Sequence, residues 1–388
     1  MISRKIFIIL VVLACLLKFG LWGYVTTQVP DKIFEADSTS YLGPGLVLVN
    51  EGAFAFYGNY ETSGDPQERR WMSFRTPGYP LFLGVLHGRL GLPLAAIIFI
   101  QILLTLAAAY VTYRTAILID PRLGYLSAII VLFDPAVTVF SLMLMTESLF
   151  LFLIAIFMWL FVIYLKTKKV SALVWASLLL VMATYVRPVS YYLPIIATGF
   201  ILYALIREKP KAALTHAMIF LIIVYSSIGL WIWRNYHNSG RAAFTNITDA
   251  TIGTWGVGGT HTRSKTPQWE NMPTVPYYSL VVLKSSLELM TRPASFKYFE
   301  CNWLRRTGQV FSYPWGIFCL VGLLAGIARM KTNIYFQFFA LVIVYFIAVS
   351  VVNALLQVTP RFRVPMVPFL AILSSYGWGC VVAALEKK

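Results

Sequence analysis

The residues of this 388-residue chain best placed to do chemistry are one carboxylate near the start and a set of arginines spread along the sequence. The carboxylate is Asp37, followed by Ser38-Thr39-Ser40-Tyr41. An aspartate ahead of small hydroxyls has the pattern of a helix N-cap, here for a short helix over 38–50. A carboxylate fixed at a helix start and open to water can also act as a general base, taking a proton from a hydroxyl or an amine. The two roles are compatible.

The arginines are Arg75, Arg187, Arg234, Arg361 and Arg363. Arg75 opens Arg75-Thr76-Pro77-Gly78-Tyr79-Pro80, where two prolines and a glycine fix a sharp entry into the apolar stretch that follows. The other four sit where apolar runs end. Single arginines there can snorkel to lipid headgroups or pair with acids. Five of them on one side of a membrane suggest a phosphate or pyrophosphate that is itself lipid-anchored, because the guanidinium fork grips phosphate through paired hydrogen bonds. A second acid, Glu147 in Thr146-Glu147, starts an apolar run and is the alternative base. Its simpler role is an acid at the positive end of a helix.

These residues must be carried by membrane helices. Hydrophobic residues make up 59% of the chain and charged residues 12%, about half the charged share of a soluble domain. That excludes a soluble nucleic-acid binder, a disordered chain and a disulfide scaffold. The apolar runs are 6–26, 92–117, 122–141, 147–165, 170–186, 189–206, 212–233, 311–328, 333–355 and 364–384. They predict an all-α polytopic protein with about ten spans, given that a bilayer needs about 20 apolar residues. Asp134-Pro135 interrupts the third run, and the fifth is short. The basic start before 6–26 could also head a signal peptide, but the apolar sequence continues past Lys18 to Val25, which favours an uncleaved span. The chain reads as a single integral membrane domain, 1–388, with two long polar stretches, 27–91 and 234–310. Short interfacial helices are expected in the first of these.

The net charge of +16 follows from membrane topology. With the N-terminus inside, the short inner connections hold Arg4, Lys5, Arg114, Arg122, Lys166, Lys168, Lys169, Arg207, Lys209, Lys211, Arg329, Lys331, Lys387 and Lys388 against Asp120, Glu208 and Glu386. This satisfies the positive-inside rule and puts both long stretches outside. The expected location is an integral protein of a bacterial inner membrane, working on its periplasmic face.

No protein nucleophile is evident. None of His87, His216, His237 and His261 lies beside a motif serine, and no Cys/His spacing suits zinc. Cys15, Cys319 and Cys380 lie in apolar runs and Cys301 has no partner in its loop, so no disulfide is expected. No metal ligands and no certain cofactor are assigned, although a divalent metal is left open. Asn246-Ile247-Thr248 matches a glycosylation acceptor pattern that means little without the host.

In this order the motifs resemble the GT-C superfamily of polytopic glycosyltransferases, in particular the dolichyl-phosphate-mannose protein mannosyltransferase-like group that includes the lipid A aminoarabinose transferase. The resemblance rests on Asp37 with Ser38 and Tyr41; Arg75-Thr76-Pro77-Gly78-Tyr79-Pro80-Leu81-Phe82; Gln101; Asp134-Pro135; Thr146-Glu147; Arg187-Pro188; Trp233-Arg234-Asn235-Tyr236; and Pro360-Arg361-Phe362-Arg363-Val364-Pro365 with Pro368. It runs from Asp37 to Pro368. It implies an inverting transfer of a sugar from a polyprenyl-phosphate donor to a glycan, lipid or protein acceptor, among membrane lipids and without nucleic acid. Asp37 would be the catalytic base. Arg75, Arg187, Arg234, Arg361 and Arg363 would hold the donor phosphate, helped by Tyr41. The protein mannosyltransferases carry an Asp-Glu pair where this chain has Asp37-Ser38, which argues against a protein acceptor. Two other readings stay open: a ligase or polymerase using a pyrophosphate-linked glycan, and a transporter or lipid flippase. Lys18 is the one strong mid-span candidate for the latter, and mid-depth is where transport sites usually lie.

Overall fold

The computed structural model describes residues 2–57, 69–247, 273–292, 302–331, 333–354 and 358–386. Thr248, His261, Cys301, Lys387 and Lys388 lie outside the described residues, as do parts of both long polar stretches. The chain is an all-α integral membrane protein, and among the described residues the only sheet is one two-stranded hairpin. In order the elements are α1 (Arg4–Gln28), α2 (Thr39–Glu51), β1 (Ala55–Tyr57), β2 (Arg69–Trp71), α3 (Gly78–Leu83), α4 (Leu94–Ile119), α5 (Gly124–Phe133), α6 (Pro135–Ser141), α7 (Glu147–Thr167), α8 (Val170–Val186), α9 (Leu193–Leu205), α10 (Pro210–Ser239), α11 (Thr274–Thr291), α12 (Asn302–Arg329), α13 (Ile334–Ala354) and α14 (Val367–Leu385).

Each of the ten apolar runs forms a helix or a helix pair. Among the described residues, eight helices are long and apolar enough to cross a membrane, or nine if α5 and α6 count as one bent span. The third run bends by 49° at Asp134. Pro135 offers no N–H and forces the residue before it out of the helical region, and Asp134 has φ −62° and ψ 121°. Its carboxylate then caps α6 by accepting from the N–H groups of Ala136 (2.9 Å) and Val137 (3.0 Å). The fifth run is α8, with 17 residues. It ends for the same reason: Arg187 precedes Pro188 and is extended, with φ −141° and ψ 121°.

By its contacts the chain divides into two compact units. The first-loop unit comprises Cys15–Ala107 and Phe140–Asn246, and the C-terminal unit comprises Met1–Ala14, Ala108–Val139 and Ile247–Lys388.

In the first-loop unit, α7 packs on α8, and α10 packs on α8 and α9. The short α2 and α3 lie against each other, and α3 also meets α8. Gly78 makes that last contact: a Cβ there would lie 2.7 Å from the backbone of Tyr185 and Val186. In the C-terminal unit, α14 packs on α12, α13 and α5, while α11 packs on α12 and α13. Gly322 and Gly326 of α12 face Gly377 of α14 so closely that a Cβ at any of the three would strike backbone or a neighbouring side chain. Small residues spaced in this way let membrane helices approach to backbone contact.

Candidate active site

The first-loop unit gathers Asp37, Tyr41, Arg75, Glu147, Arg187 and Arg234 from segments far apart in sequence. Asp37 follows a turn of 3₁₀-helix at Pro30–Ile33 and precedes α2. The cap position expected for Asp37 falls to Ser38 instead. α2 starts at Thr39, and Ser38 stands at the cap position without a side-chain capping bond. Asp37 joins the helix start through its backbone carbonyl, which accepts from the N–H of Ser40 (3.0 Å). Its carboxylate turns instead to Arg75, whose Nη2 donates to Oδ1 at 2.6 Å.

Arg75 spends each arm of its guanidinium on the same short segment. Nε donates to Ser40 Oγ (2.9 Å) and Nη1 to Tyr41 Oη (3.2 Å). The group also lies over the Tyr41 and Phe74 rings, 4.7 and 4.9 Å from their centroids. Arg75 and Tyr41, both expected at the donor phosphate, are bonded to each other here, and Arg75 also to the Asp37 carboxylate. The physical reason is that an anion already occupies the fork, and a charge-assisted pair is worth more than a neutral one. Exposure separates the partners: the Arg75 side chain is 8% exposed and that of Asp37 is 32%. The carboxylate is held from behind and open in front.

Ser38 is fully buried. Its hydroxyl accepts from Glu35 N–H (2.9 Å) and donates to Leu144 C=O (3.0 Å), while Leu144 N–H donates to Ile33 C=O (2.8 Å). The Asp37 loop is therefore laced to the strand of chain that leads into Glu147. A glutamate at position 38, as in the protein mannosyltransferase pattern, would not fit this buried, doubly bonded position. Gln101, a motif residue without an assigned task in the sequence, secures the same segment. It donates to Met143 C=O (2.6 Å) and Ser141 C=O (3.3 Å) and accepts from Tyr79 Oη (2.5 Å).

Glu147 and Arg187 form a second ion pair, Nη1 to Oε1 at 2.5 Å, with side chains 1% and 10% exposed. Thr146 Oγ1 donates to the other carboxylate oxygen at 3.3 Å. Gly78 brings the Arg75 loop against the end of α8, next to Arg187, so the two pairs sit on packed neighbours.

Arg234 takes a different kind of acceptor. Its Nη1 donates to Met72 C=O and Asn235 Oδ1 (both 2.9 Å), and Nη2 donates to Phe54 C=O (2.7 Å). Its guanidinium lies 4.8 Å from the centroid of Trp231. The role expected at a phosphate meets a fork already filled by carbonyls at the base of the β1–β2 hairpin. Asn235, to which the sequence alone assigns no task, is fully buried and donates to Ala243 C=O (2.8 Å) and Phe244 C=O (3.2 Å). Its place in Trp-Arg-Asn-Tyr was the available signal.

The C-terminal unit holds the other two motif arginines. Arg363 is 4% exposed, donates to Met290 C=O (2.9 Å) and lies 3.5 Å from the Asp134 carboxylate. Its Nε is buried without a hydrogen-bond partner. Arg361 is half-buried. Among the described residues, no three His, Cys, Asp or Glu side chains come together to hold a metal ion. Lys18 is buried within α1.

Comparison with known proteins agrees with the motif reading. Residues 75–233 match the family model described as dolichyl-phosphate-mannose-protein mannosyltransferase. No curated protein matches the chain in sequence. Among solved structures, the fold is similar to the oligosaccharyltransferase of Archaeoglobus fulgidus. Tethered to an acceptor peptide containing the NVT sequon, that enzyme aligns with a TM-score of 0.57 and 13% identity, covering 99% of this chain and 50% of its own. In complex with an inhibitory peptide and a dolichol-phosphate, the archaeal oligosaccharyltransferase AglB gives 0.53 and 11%, covering 98% and 51%. A complex with Zn and sulfate gives 0.53 and 12%, covering 97% and 49%. The chain spans about half the length of the structures it matches. The resemblance read from the motifs therefore stands, in sequence over residues 75–233 and in fold over nearly the whole chain.

Proposed function

We propose that this protein is an inverting glycosyltransferase that moves a sugar from a polyprenyl-phosphate donor to an acceptor at the outer face of the membrane. The observation that carries the reading is the Asp37–Arg75 pair: a carboxylate partly open to water and aimed by a buried guanidinium with every arm engaged. The family match over 75–233 and the dolichol-phosphate bound by the archaeal enzyme support a phosphorylated isoprenoid carrier.

In the proposed reaction Asp37 accepts the proton of the acceptor hydroxyl or amine. The freed lone pair attacks the anomeric carbon from the face opposite the phosphate. The bond between that carbon and the phosphate oxygen breaks, its electron pair stays on the lipid phosphate, and configuration inverts. Arg75 keeps the carboxylate oriented, and Ser40 and Tyr41 keep Arg75 in place. In this unit the donor phosphate falls to Arg187, which sits at the end of α8 and shares its charge with Glu147. Arg361 and Arg363 keep the same proposed role in the C-terminal unit. Arg363 retains an Nε–H without a partner.

The Zn and sulfate complex of the archaeal enzyme raises a metal for this chain. Asp37 and Glu147 are the described acids a metal could use here, each facing a guanidinium, and no three His, Cys, Asp or Glu side chains come together among the described residues. No step of the proposed reaction runs through a metal. The buried Ser38, where the protein mannosyltransferase pattern has a second acid, weighs against a protein acceptor and favours a glycan or lipid.

The test is transfer by purified protein from labelled polyprenyl-phosphate sugars. Release of free lipid phosphate with an inverted product is expected. Transfer from pyrophosphate-linked glycans alone would establish the ligase reading instead.

A further inference from the structure

The three residues leading into Arg75 each have an engaged carbonyl. Met72 C=O accepts from Arg234 Nη1 at 2.9 Å. Ser73 C=O accepts from Asn246 N–H at 3.2 Å, and Ser73 Oγ from Asn246 Nδ2 at 2.8 Å. Phe74 C=O accepts from Thr245 Oγ1 at 2.7 Å. Three consecutive residues are thus tied down immediately before the guanidinium that aims Asp37. All the donors come from the end of α10 and the strap that follows it, about 170 positions away in sequence.

The strap is itself held in place. α10 ends at Gly240, which adopts φ 70° and turns the chain back on itself. The buried amide of Asn235 then holds the returning carbonyls of Ala243 and Phe244. The Phe244 ring is 6% exposed and meets Tyr185 and Tyr191 with centroids 5.6 and 5.7 Å away. Thr245 is 8% exposed, so its bond to Phe74 is shielded from competing water. On the far side of Arg75, Gly78 is pressed against α8. Arg75 therefore hangs between two anchored points.

We infer that Thr245 and Asn246 are positioning residues for the transfer, acting through Phe74 and Ser73 on Arg75 and through Arg75 on Asp37. The inference rests on Asp37 being the base. Neither residue meets the reacting groups. Their contribution is to the placement of the carboxylate, where an error on the order of 1 Å can cost about 100-fold in rate.

The experiment compares Thr245→Val, Thr245→Ser and Asn246→Ala with wild type and Asp37→Asn, in steady-state transfer from a polyprenyl-phosphate sugar and in thermal unfolding. Valine keeps the shape of threonine and removes the donor, while serine keeps the donor. Thr245→Val should lower kcat by about 10-fold or more, within the range a misplaced group can cost. Its donor KM should stay within about twofold of wild type, since the misplacement acts on kcat alone. Thr245→Ser should recover most of the rate, and Asn246→Ala should follow Thr245→Val. Unchanged kcat in folded Thr245→Val and Asn246→Ala, with Asp37→Asn inactive, would overturn the positioning role and leave the base intact. A fall in kcat that tracks lost folding, and that serine fails to reverse, would overturn it as well. A fully active Asp37→Asn would remove the base reading and this inference with it.

Discussion

Two carboxylate–arginine pairs lie in the same unit, and they differ in one property that decides what each can do. Asp37–Arg75 and Glu147–Arg187 have nearly equal lengths, 2.6 and 2.5 Å. Both acids stand next to a helix start, and both arginines come from loop-to-helix junctions containing proline. Yet the Asp37 side chain is 32% exposed and that of Glu147 is 1% exposed. A base must meet its substrate's proton, and only the first carboxylate has a face left for that. The second carboxylate is enclosed behind its cation, where the pair is costly to break and the acid is hard for an acceptor to reach. One ion pair is thus suited to chemistry and the other to holding charge in place beside it.

The sharpest break of this comparison is at Asp37. Asp37→Asn keeps the size of the side chain and a bond to Arg75 but removes the base. Turnover should fall by about 10²–10⁴-fold, the usual worth of general-base assistance. Donor affinity and thermal stability should stay near wild type, because the exposed end of the pair carries little folding energy. Retained turnover in the purified variant would refute the assignment.

Glu147→Gln should show the opposite pattern. It leaves the buried Arg187 cation without a counter-charge, and removing one partner of a buried pair costs about 3–5 kcal/mol. Loss of stability is expected, seen as a lowered unfolding midpoint, with any loss of turnover following it. A Glu147→Gln protein that unfolds like wild type yet is inactive would transfer the base to Glu147.

Arg187→Lys comes next. Lysine preserves the charge and the ion pair but not the planar fork that takes a carboxylate and a phosphate together. Donor binding should weaken by about 1.5–3 kcal/mol, the value of one charge-assisted hydrogen bond. Titration with a labelled polyprenyl-phosphate would report it. Unchanged affinity would make Arg187 a partner of Glu147 and nothing more.

The elements were more legible in the sequence than the partnerships. The apolar runs and the break at Asp134-Pro135 follow from hydrophobicity and from proline's missing N–H, which are local properties. The exposed acid at 37 and the motif at 75 were legible as residue types. Their pairing was not, because it joins positions 38 apart and depends on α3 being drawn against α8 at Gly78. A guanidinium looks alike in sequence whether it faces a phosphate, a carboxylate or a carbonyl. Arg75 takes the second and Arg234 the third because Asp37 and the hairpin carbonyls are already beside them. Asn235 and Gln101 were visible only as letters within motifs, since an amide's value lies in the carbonyls it reaches.

Arg234 gives the finest test, because its described bonds go to two backbone carbonyls and an amide oxygen. Its fork joins the carbonyls of Phe54 and Met72, the two residues that flank the hairpin, and Met72 N–H also donates to Phe54 C=O at 3.0 Å. Lysine has one ammonium and cannot span two carbonyls in a plane. Arg234→Lys should therefore lose one of these bonds, worth about 0.5–1.5 kcal/mol net, and loosen the hairpin. The expected result is a small drop in the unfolding midpoint, faster amide exchange at Met72, and donor affinity equal to wild type. This is the reverse of the Arg187→Lys pattern, so measuring both variants in one titration separates a guanidinium that carries backbone from one that carries phosphate. Equal losses of donor affinity in the two would mean that Arg234 leaves its carbonyls when donor binds and joins the phosphate site.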